Sequence, residues 1–324
     1  MRYFFYLLLL PMLGQAQFAP PVGQPGTTAM YKDSSAFINW ATFCDVTRGL
    51  QDISNTSGPY ATVGDSSKAI GVADNSVVSL GDAGVAVCTF QNPLTDGPGP
   101  DFAVFENSFS DDYLEFAFVE VSSDGINFYR FPATSNIQDT AQTGSFGLSD
   151  ATKVNNLAGK YLALYGTPFD LAEMQGIGAL DLNNITHVKI VDVVGSISPI
   201  YATYDQNGRK VNDPWPTAFA SSGFDLDGVG VIHDITNSIK ENMKADFMVY
   251  PNPSYGEANL EFRLVKAELI GKEELRISNV MGQELRREKI KVRDNRFTCD
   301  ISSLEPGTYF FSIGTSVKRV VITK

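Results

Sequence analysis

At 324 residues and 35.3 kDa the chain has the length of two domains, or of one large domain and one small one. A composition of 43% hydrophobic and 19% charged residues is that of a globular protein, and it excludes a disordered chain, a collagen-like fibre and a multi-span membrane protein. The net charge of -12 and the pI of about 4.6 exclude a sequence-independent grip on nucleic acid or anionic lipid.

The chain opens with Arg2, an apolar run from Tyr3 to Leu13 broken at Pro11, and Gly14-Gln15-Ala16. Small residues then stand at -3 and -1 of a cut before Gln17, the layout of a secretory signal peptide over 1–16. The run is shorter than the roughly 20 apolar residues that a membrane span needs. No Cys follows the cut, so no lipoprotein anchor is expected, and no later segment is long and apolar enough to span.

With 28 Gly, 16 Pro and 11% aromatics, the rest reads as short strands and tight turns. In residues 17–235, strands are expected at Val77–Leu80, Val85–Phe90, Phe102–Phe105, Phe116–Val121, Ile126–Phe131, Val188–Val194 and Phe224–Ile232. Ser122-Ser-Asp-Gly125 is a hairpin turn, its Asp-Gly pair suited to positive φ. The β-branched run Val188–Val194 marks a central strand. Thr134–Leu182 reads as long loops, which on a rigid sandwich are where binding sites sit. Cys44, Cys88 and Cys299 form neither a CxxC motif nor a zinc spacing, and Cys44 and Cys88 are either bridged or two small buried hydrophobes.

Charge divides the chain. Residues 17–245 carry 11 Lys and Arg against 26 Asp and Glu, whereas 246–324 carry 13 against 11. The composition changes across the polar stretch 236–245, read as a linker or short helix. Beyond it, strand patterns at Phe247–Tyr250, Ala258–Leu264, Glu274–Val280, Phe297–Ile301, Tyr309–Ile313 and Lys318–Ile322 describe a small β-sandwich.

This C-terminal segment resembles the type A sorting domain of the type IX secretion system of Bacteroidetes. The residues that carry the resemblance are Val249, Tyr250, Pro251, Asn252 and Pro253, then Gly256, Val280-Met281-Gly282, Leu304-Glu-Pro-Gly307-Thr-Tyr309, and Lys318 to Lys324. The resemblance implies a partner, the type IX machinery, and a route through the periplasm to the outside or the outer-membrane surface. It also implies removal of the domain, with the passenger released or attached to surface lipopolysaccharide. In the passenger, Phe118–Phe128 looks like the strand–turn–strand of galactose-binding-like jelly rolls. Asp101–Asn107, Phe118–Phe131, Asn156–Lys160, Gly166–Leu171 and Ser222–Val231 resemble an uncharacterised group of bacterial cell-surface proteins, over most of 60–233. The expected fold is all-β: a β-sandwich or jelly-roll passenger, 17–235, then a small Ig-like β-sandwich sorting domain, 246–324.

Candidate chemistry is sparse. There is no GxSxG, HExxH or P-loop, and His187 and His233 read as strand-end residues. Asp205-Gln-Asn-Gly208 has oxygen ligands at alternate positions but lacks the closing Glu of a calcium loop, and reads as an Asn-Gly turn. Asp225 and Asp227, two apart in a strand, point to one face, where they either hold calcium with Asp101 and Glu106 or form a solvated acidic face. Trp215, Asp213 and Tyr204, with Trp40, Tyr201 and Phe219, compose a sugar-stacking platform, the alternative being that Trp215 plugs the end of the sandwich. The passenger thus reads as a non-enzymatic module for a glycan or other small extracellular ligand, with Ca2+ as the one expected cofactor. The alternatives are an accessory of outer-membrane nutrient uptake, including corrinoids, and a glycan-active hydrolase.

Overall fold

The computed structural model describes residues 18–236, 247–264, 274–292, 296–313 and 316–323. The expected signal peptide and residues 237–245 of the expected linker lie outside the described residues. The chain forms two compact units that divide between Ile235 and Thr236. Among the described residues no helix is long and apolar enough to cross a membrane.

The passenger contains β1 (Met30–Tyr31), β2 (Asn39–Trp40), β3 (Phe43–Thr47), β4 (Val78–Ser79), β5 (Val85–Leu94), β6 (Phe102–Glu106), β7 (Ala117–Ser122), β8 (Tyr129–Arg130), β9 (Thr134–Ser135), β10 (Val154–Asn155), β11 (Leu157–Ala158), β12 (Tyr165–Phe169), β13 (Ile185–Asp192) and β14 (Asp225–Val231). β9 and β10 form a separate antiparallel pair, and the other twelve pair antiparallel into two six-stranded sheets. One runs β1-β12-β6-β14-β2 with β4 also on β14; the other runs β11-β7-β13-β5-β3 with β8 also on β7. The segment expected as loops, 134–182, in fact holds β9 to β12. Its turn residues hid strands of two to five residues, too short to show a period.

The core lies between the sheets and follows the two-residue period of each strand. Phe102 and Val104 of β6, Val119 and Val121 of β7, Val188 and Ile190 of β13, and Ala86 and Cys88 of β5 all enter it. Phe102, Phe131 and Phe169 pack as an aromatic triplet with ring centroids 5.1–5.9 Å apart. On β14, Leu226, Val229 and Val231 face the core. The spacing of three from Leu226 to Val229 is the mark of a β-bulge, seen in the β14–β6 register between Leu226 and Gly228. Gly228 and Gly230 turn the other way. A Cβ on Gly230 would stand 2.8 Å from the Phe37 ring. Their bareness lets Phe37 and Trp40 lie over the sheet against Phe105, with Trp40 5.0 Å from Phe105. Trp40 is therefore packed beneath a satellite core and takes no part in a stacking platform.

Cys44 of β3 and Cys88 of β5 are directly opposed, both buried, with sulfurs 3.2 Å apart as free thiols.

The second unit contains β15 (Phe247–Tyr250), β16 (Ser254–Tyr255), β17 (Asn259–Leu264), β18 (Glu274–Asn279), β19 (Glu284–Lys289), β20 (Arg296–Asp300), β21 (Gly307–Ile313) and β22 (Ser316–Thr323). A three-stranded sheet, β15-β17-β20, and a five-stranded one, β16-β22-β21-β18-β19, enclose Phe247, Phe262, Leu275, Ile277, Phe311 and Val320. The alternation read at 258–264 and 274–280 supplies this core. Asn252 fixes the turn after β15 by donating to the Arg319 carbonyl and accepting from the Val321 amide.

Truncating a fully buried core ring loses its transfer energy and leaves a cavity. Phe169→Ala should destabilise the passenger by about 3–5 kcal/mol in urea unfolding. A loss below about 1 kcal/mol would mean that the triplet does not carry the core.

Candidate functional site

The antiparallel registers bring several strand ends to one pole of the passenger. Leu226 at the start of β14 opposes Glu106 at the end of β6. Asp192 at the end of β13 opposes Ala117 at the start of β7, and Val191 opposes Val85 at the start of β5. The strand ends carry Glu106, Asp192 and Asp225, and the loops beside them carry Asp82, Glu115 and Asp213. The 107–116 loop also carries Phe109 and Tyr113, and the 211–224 loop carries Trp215, Thr217 and Phe219.

Two adjoining recesses open there. The outer one is a cleft of about 340 Å³ lined by Glu106, Asn107, Ser108, Glu115, Asp225 and Thr217, with Phe109, Tyr113, Phe146 and Phe219 among its walls. Phe109 stacks on Tyr113 with centroids 4.6 Å apart, and Phe146 packs on Phe219 at 5.7 Å. Phe109 and Phe146 are 74% and 73% exposed, so the rim presents open aromatic faces. The Phe146 loop is held by Tyr113 Oη donating to the Ser145 carbonyl (3.1 Å), Ser145 Oγ donating to the Pro216 carbonyl (2.6 Å), and the Thr143 amide donating to Asn212 Oδ1 (2.9 Å).

The inner recess, about 10 Å³, is lined by Asp82, Glu115, Asp192 and Asp213 with Val193, Val194, Pro214, Thr217 and Gly223. Glu115 and Thr217 line both spaces. Gly223, at φ +71°, lets the backbone pass close to Asp192. A Cβ there would meet Asp192 Oδ1 at 2.8 Å and the Gly81 backbone at 2.7 Å.

The carboxyls at this pole are held far from their ordinary proton affinities. Burial, reinforced by Glu115 and Asp225, pushes Glu106 well above the carboxylate range. Glu115 is raised by burial and by Asp225 and Asp192, with no hydrogen bond to offset it. Asp192 and Asp213 are raised chiefly by burial, although backbone amides hydrogen-bond to both. Asp82 and Asp225 are each pushed up to about 6 by burial. At Asp225 the opposing influences are hydrogen bonds from Ser79 and Asn107 and the charge of Arg48.

The residues singled out from the sequence scatter over several places. Glu106 and Asp225 share the outer cleft. Asp101 stands at the other end of β6, roughly 16 Å away at 3.3 Å per residue, where Oδ1 accepts from the Gly97 amide and pairs with His233 Nδ1 while Oδ2 accepts from the Leu171 amide. Asp227, at the β-bulge, caps the Asp74 and Asn75 amides instead of facing Asp225. The set Asp225, Asp227, Asp101 and Glu106 is therefore not brought to one point. Asp213 lines the inner recess. Beside it, Trp215 is half-buried and donates from Nε1 to Asp82 Oδ2 at 3.1 Å. Tyr204 lines a separate hollow with Phe118, Arg130 and Gln206. Asp205 accepts from the Ser135, Asn207 and Arg209 amides and from the Arg209 guanidinium, so its loop is a hydrogen-bonded turn. Glu115, Asp192, Asp82, Phe109 and Phe146 were not singled out. Glu115, Asp192 and Asp82 had one signal, an acid next to an expected strand end.

Residues 248–324 match the family described as the secretion system C-terminal sorting domain. The chain is thereby exported by type IX secretion to the cell surface or the extracellular space, and its C-terminal unit engages that machinery. No curated protein matches the chain. Among solved structures, similarity is found to a biofilm-associated protein BSP domain (8% identity, 74% of this chain, 48% of that one, TM-score 0.23). It is also found to the β-glucuronidases of Lactobacillus rhamnosus (10% identity, 74% and 36%, TM-score 0.16) and Ruminococcus gnavus (10%, 76% and 39%, TM-score 0.17). The chain spans half or less of the length of these proteins, and at such TM-scores they say nothing of its activity.

Two outcomes follow. Deleting 246–324 should leave the passenger in the periplasm, and surface display of the truncated chain would overturn the sorting role. Asp225, at about 6 in the fold against an ordinary 3.8, binds its proton more tightly folded than unfolded. Its contribution is full below pH ~4 and is lost as pH rises through 6, on the order of 2–3 kcal/mol for a group so enclosed. The charges facing it are Arg48, Glu106 and Glu115. Asp225→Asn should flatten the pH 4–7 dependence of the unfolding free energy by about that amount, and an unchanged profile would remove Asp225 from the titration.

Proposed function

We propose that the exported passenger is a binding module whose outer cleft takes an extracellular glycan. The observation that supports this is one arrangement: open aromatic faces above a floor of carboxyl, amide and hydroxyl groups, in a recess of small-ligand size. The apolar face of a pyranose ring stacks on Phe146–Phe219 or Phe109–Tyr113, as other apolar rings pack on aromatics. Burial raises the proton affinity of Glu106, which favours its donating to a sugar oxygen, while Asn107 and Ser108 supply amide and hydroxyl partners. The rings give affinity, and the buried polar floor gives selectivity by rejecting ligands that leave it unpaired.

A second reading, a glycan-active hydrolase, is favoured by one feature. Burial raises the proton affinities of Glu106 and Glu115 beside Asp225, itself pushed up to about 6, and glycosyl transfer requires a carboxyl of raised proton affinity beside an ionised one. No feature of the cleft speaks specifically for a corrinoid.

Binding to a glycan array tests the first reading. A hit should weaken at least 10-fold in Phe146→Ala and Phe219→Ala with the melting temperature unchanged. A blank array, or hits indifferent to both rings, would remove the glycan from this cleft. Release of new reducing ends, lost in Glu106→Gln, would establish the hydrolase in place of the binding module.

A further inference from the structure

The inner recess holds four carboxyl groups and no basic side chain in its lining. Their hydrogen bonds are incomplete. Asp192 accepts from the Phe224 amide (2.7 Å) and the Ala83 amide (2.9 Å), Asp213 Oδ2 from the Phe116 amide (2.7 Å), and Asp82 Oδ2 from the Ile53 amide (2.8 Å) and Trp215 Nε1. These donors favour the charged forms and orient them. Asp213 Oδ1, in a side chain that is 97% buried, meets no donor at all. Glu115, half-buried, lines the same space, and no hydrogen bond opposes the rise in its proton affinity. A buried acceptor without a donor is costly, and Asp213 Oδ1, facing a small cavity lined by further carboxyl groups, is matched by a cation. About 10 Å³ is room for one water-sized particle.

We propose that the inner recess is a divalent-cation site of the calcium class, with Asp213 Oδ1 and the Glu115 carboxylate as ligands and Asp192 and Asp82 as the surrounding negative shell. All the donors are hard oxygens, which select calcium or magnesium over softer metals. Calcium accepts irregular cages and retains water. That tolerance matters, because the only carboxylate triplet with oxygens within 4.8 Å of one another, among the described residues, is Asp96, Asp101 and Asp170 at the opposite pole. In that triplet the Asp101 oxygens are already taken by Gly97, Leu171 and His233. In the inner recess no three carboxyl groups bring their oxygens that close, and water from the outer cleft, which Glu115 and Thr217 also line, completes the ion's shell. Since Glu115 and Thr217 also wall the outer cleft, the ion lies beneath the ligand, a consequence that rests on the binding reading above. The ion site itself does not.

The test is calorimetric titration of calcium chloride into the chelator-stripped secreted protein. One calcium per chain is expected, weakened at least 10-fold in Glu115→Gln and Asp213→Asn and retained in Asp96→Asn. Terbium offers a second readout that survives a folding failure of those variants. Its emission should be sensitised by Trp215, whose indole bonds a wall of the recess, and should fall by more than half in Trp215→Phe. No binding up to millimolar calcium, binding lost in Asp96→Asn but kept in Asp213→Asn, or terbium emission unchanged in Trp215→Phe would each overturn the site. Calcium bound with a blank glycan array would defeat only the glycan reading. Glycan hits on a protein that binds no calcium would defeat only the ion.

Discussion

The antiparallel registers of β14 on β6, and of β13 on β5 and β7, are what the rest of the passenger depends on. They align the ends of β6 and β13 with the beginnings of β5, β7 and β14, so that acids between positions 82 and 225 meet at one pole. The same registers send Asp96, Asp101, Asp170 and His233 to the other pole, where the acids are absorbed in different ways. Asp101 is enclosed by amides and an imidazole, and Asp170 caps the short turn at Leu171 by accepting from the Ala172 amide. At the first pole, amides reach most of the buried carboxylate oxygens and leave Asp213 Oδ1 bare. The two poles of the sandwich therefore differ in how their buried acids are bonded, Asp101 at one being fully enclosed and Asp213 at the other not.

That incompleteness has a cost which the core must offset. A carboxyl raised by burial is one whose charged form the fold disfavours, and several adjacent ones raise each other further. The open aromatic faces of Phe109 and Phe146 likewise forgo burial that the core could have used. Departures of both kinds gathered at one end of a rigid scaffold are the pattern of a site kept for binding, since local rules in a folded chain are broken mainly where function requires it. The two adjoining recesses divide that work. The cleft offers apolar faces with amide and hydroxyl groups, and the smaller recess gathers four carboxyl groups, of which Glu115 also lines the cleft.

Much of the scaffold was legible in the sequence, because core strands carry their own period. The β-branched run at 188–194 gave away β13 as a central strand, and the alternation at 260–264 and 275–277 gave the second unit's core. Short strands such as β2 and β11 were not legible, since two residues carry no period, whereas the apolar run at 77–80 had marked β4. The site was harder for a different reason. Its six acids come from separate strand ends and loops, and only the strand registers reveal that they are neighbours. Glu106 and Asp225 were found because they sit in strands that could be read; Glu115 and Asp192 were missed because nothing local distinguishes them from the other acids of an acidic domain. Asp225 and Asp227 were paired by the two-residue rule, and the bulge after Leu226 broke that rule at the one place where it was relied upon.

The two units also differ in kind. The C-terminal unit closes its own core around Phe247, Phe262, Phe297 and Phe311, and its charge is nearly balanced. Its family pattern falls largely on turns and strand starts, where Asn252 ties two strands and Tyr309 Oη donates to the Glu305 carbonyl (2.8 Å). Such residues shape a surface that the export machinery reads, and they need nothing from the protein carried. The acidity belongs to the passenger, where it exceeds what solubility asks of a domain this size. Much of it is also withdrawn from solvent, and a buried carboxyl contributes nothing to solubility. Its gathering at one pole of the passenger is what the proposed binding role rests on, and the C-terminal unit carries the address.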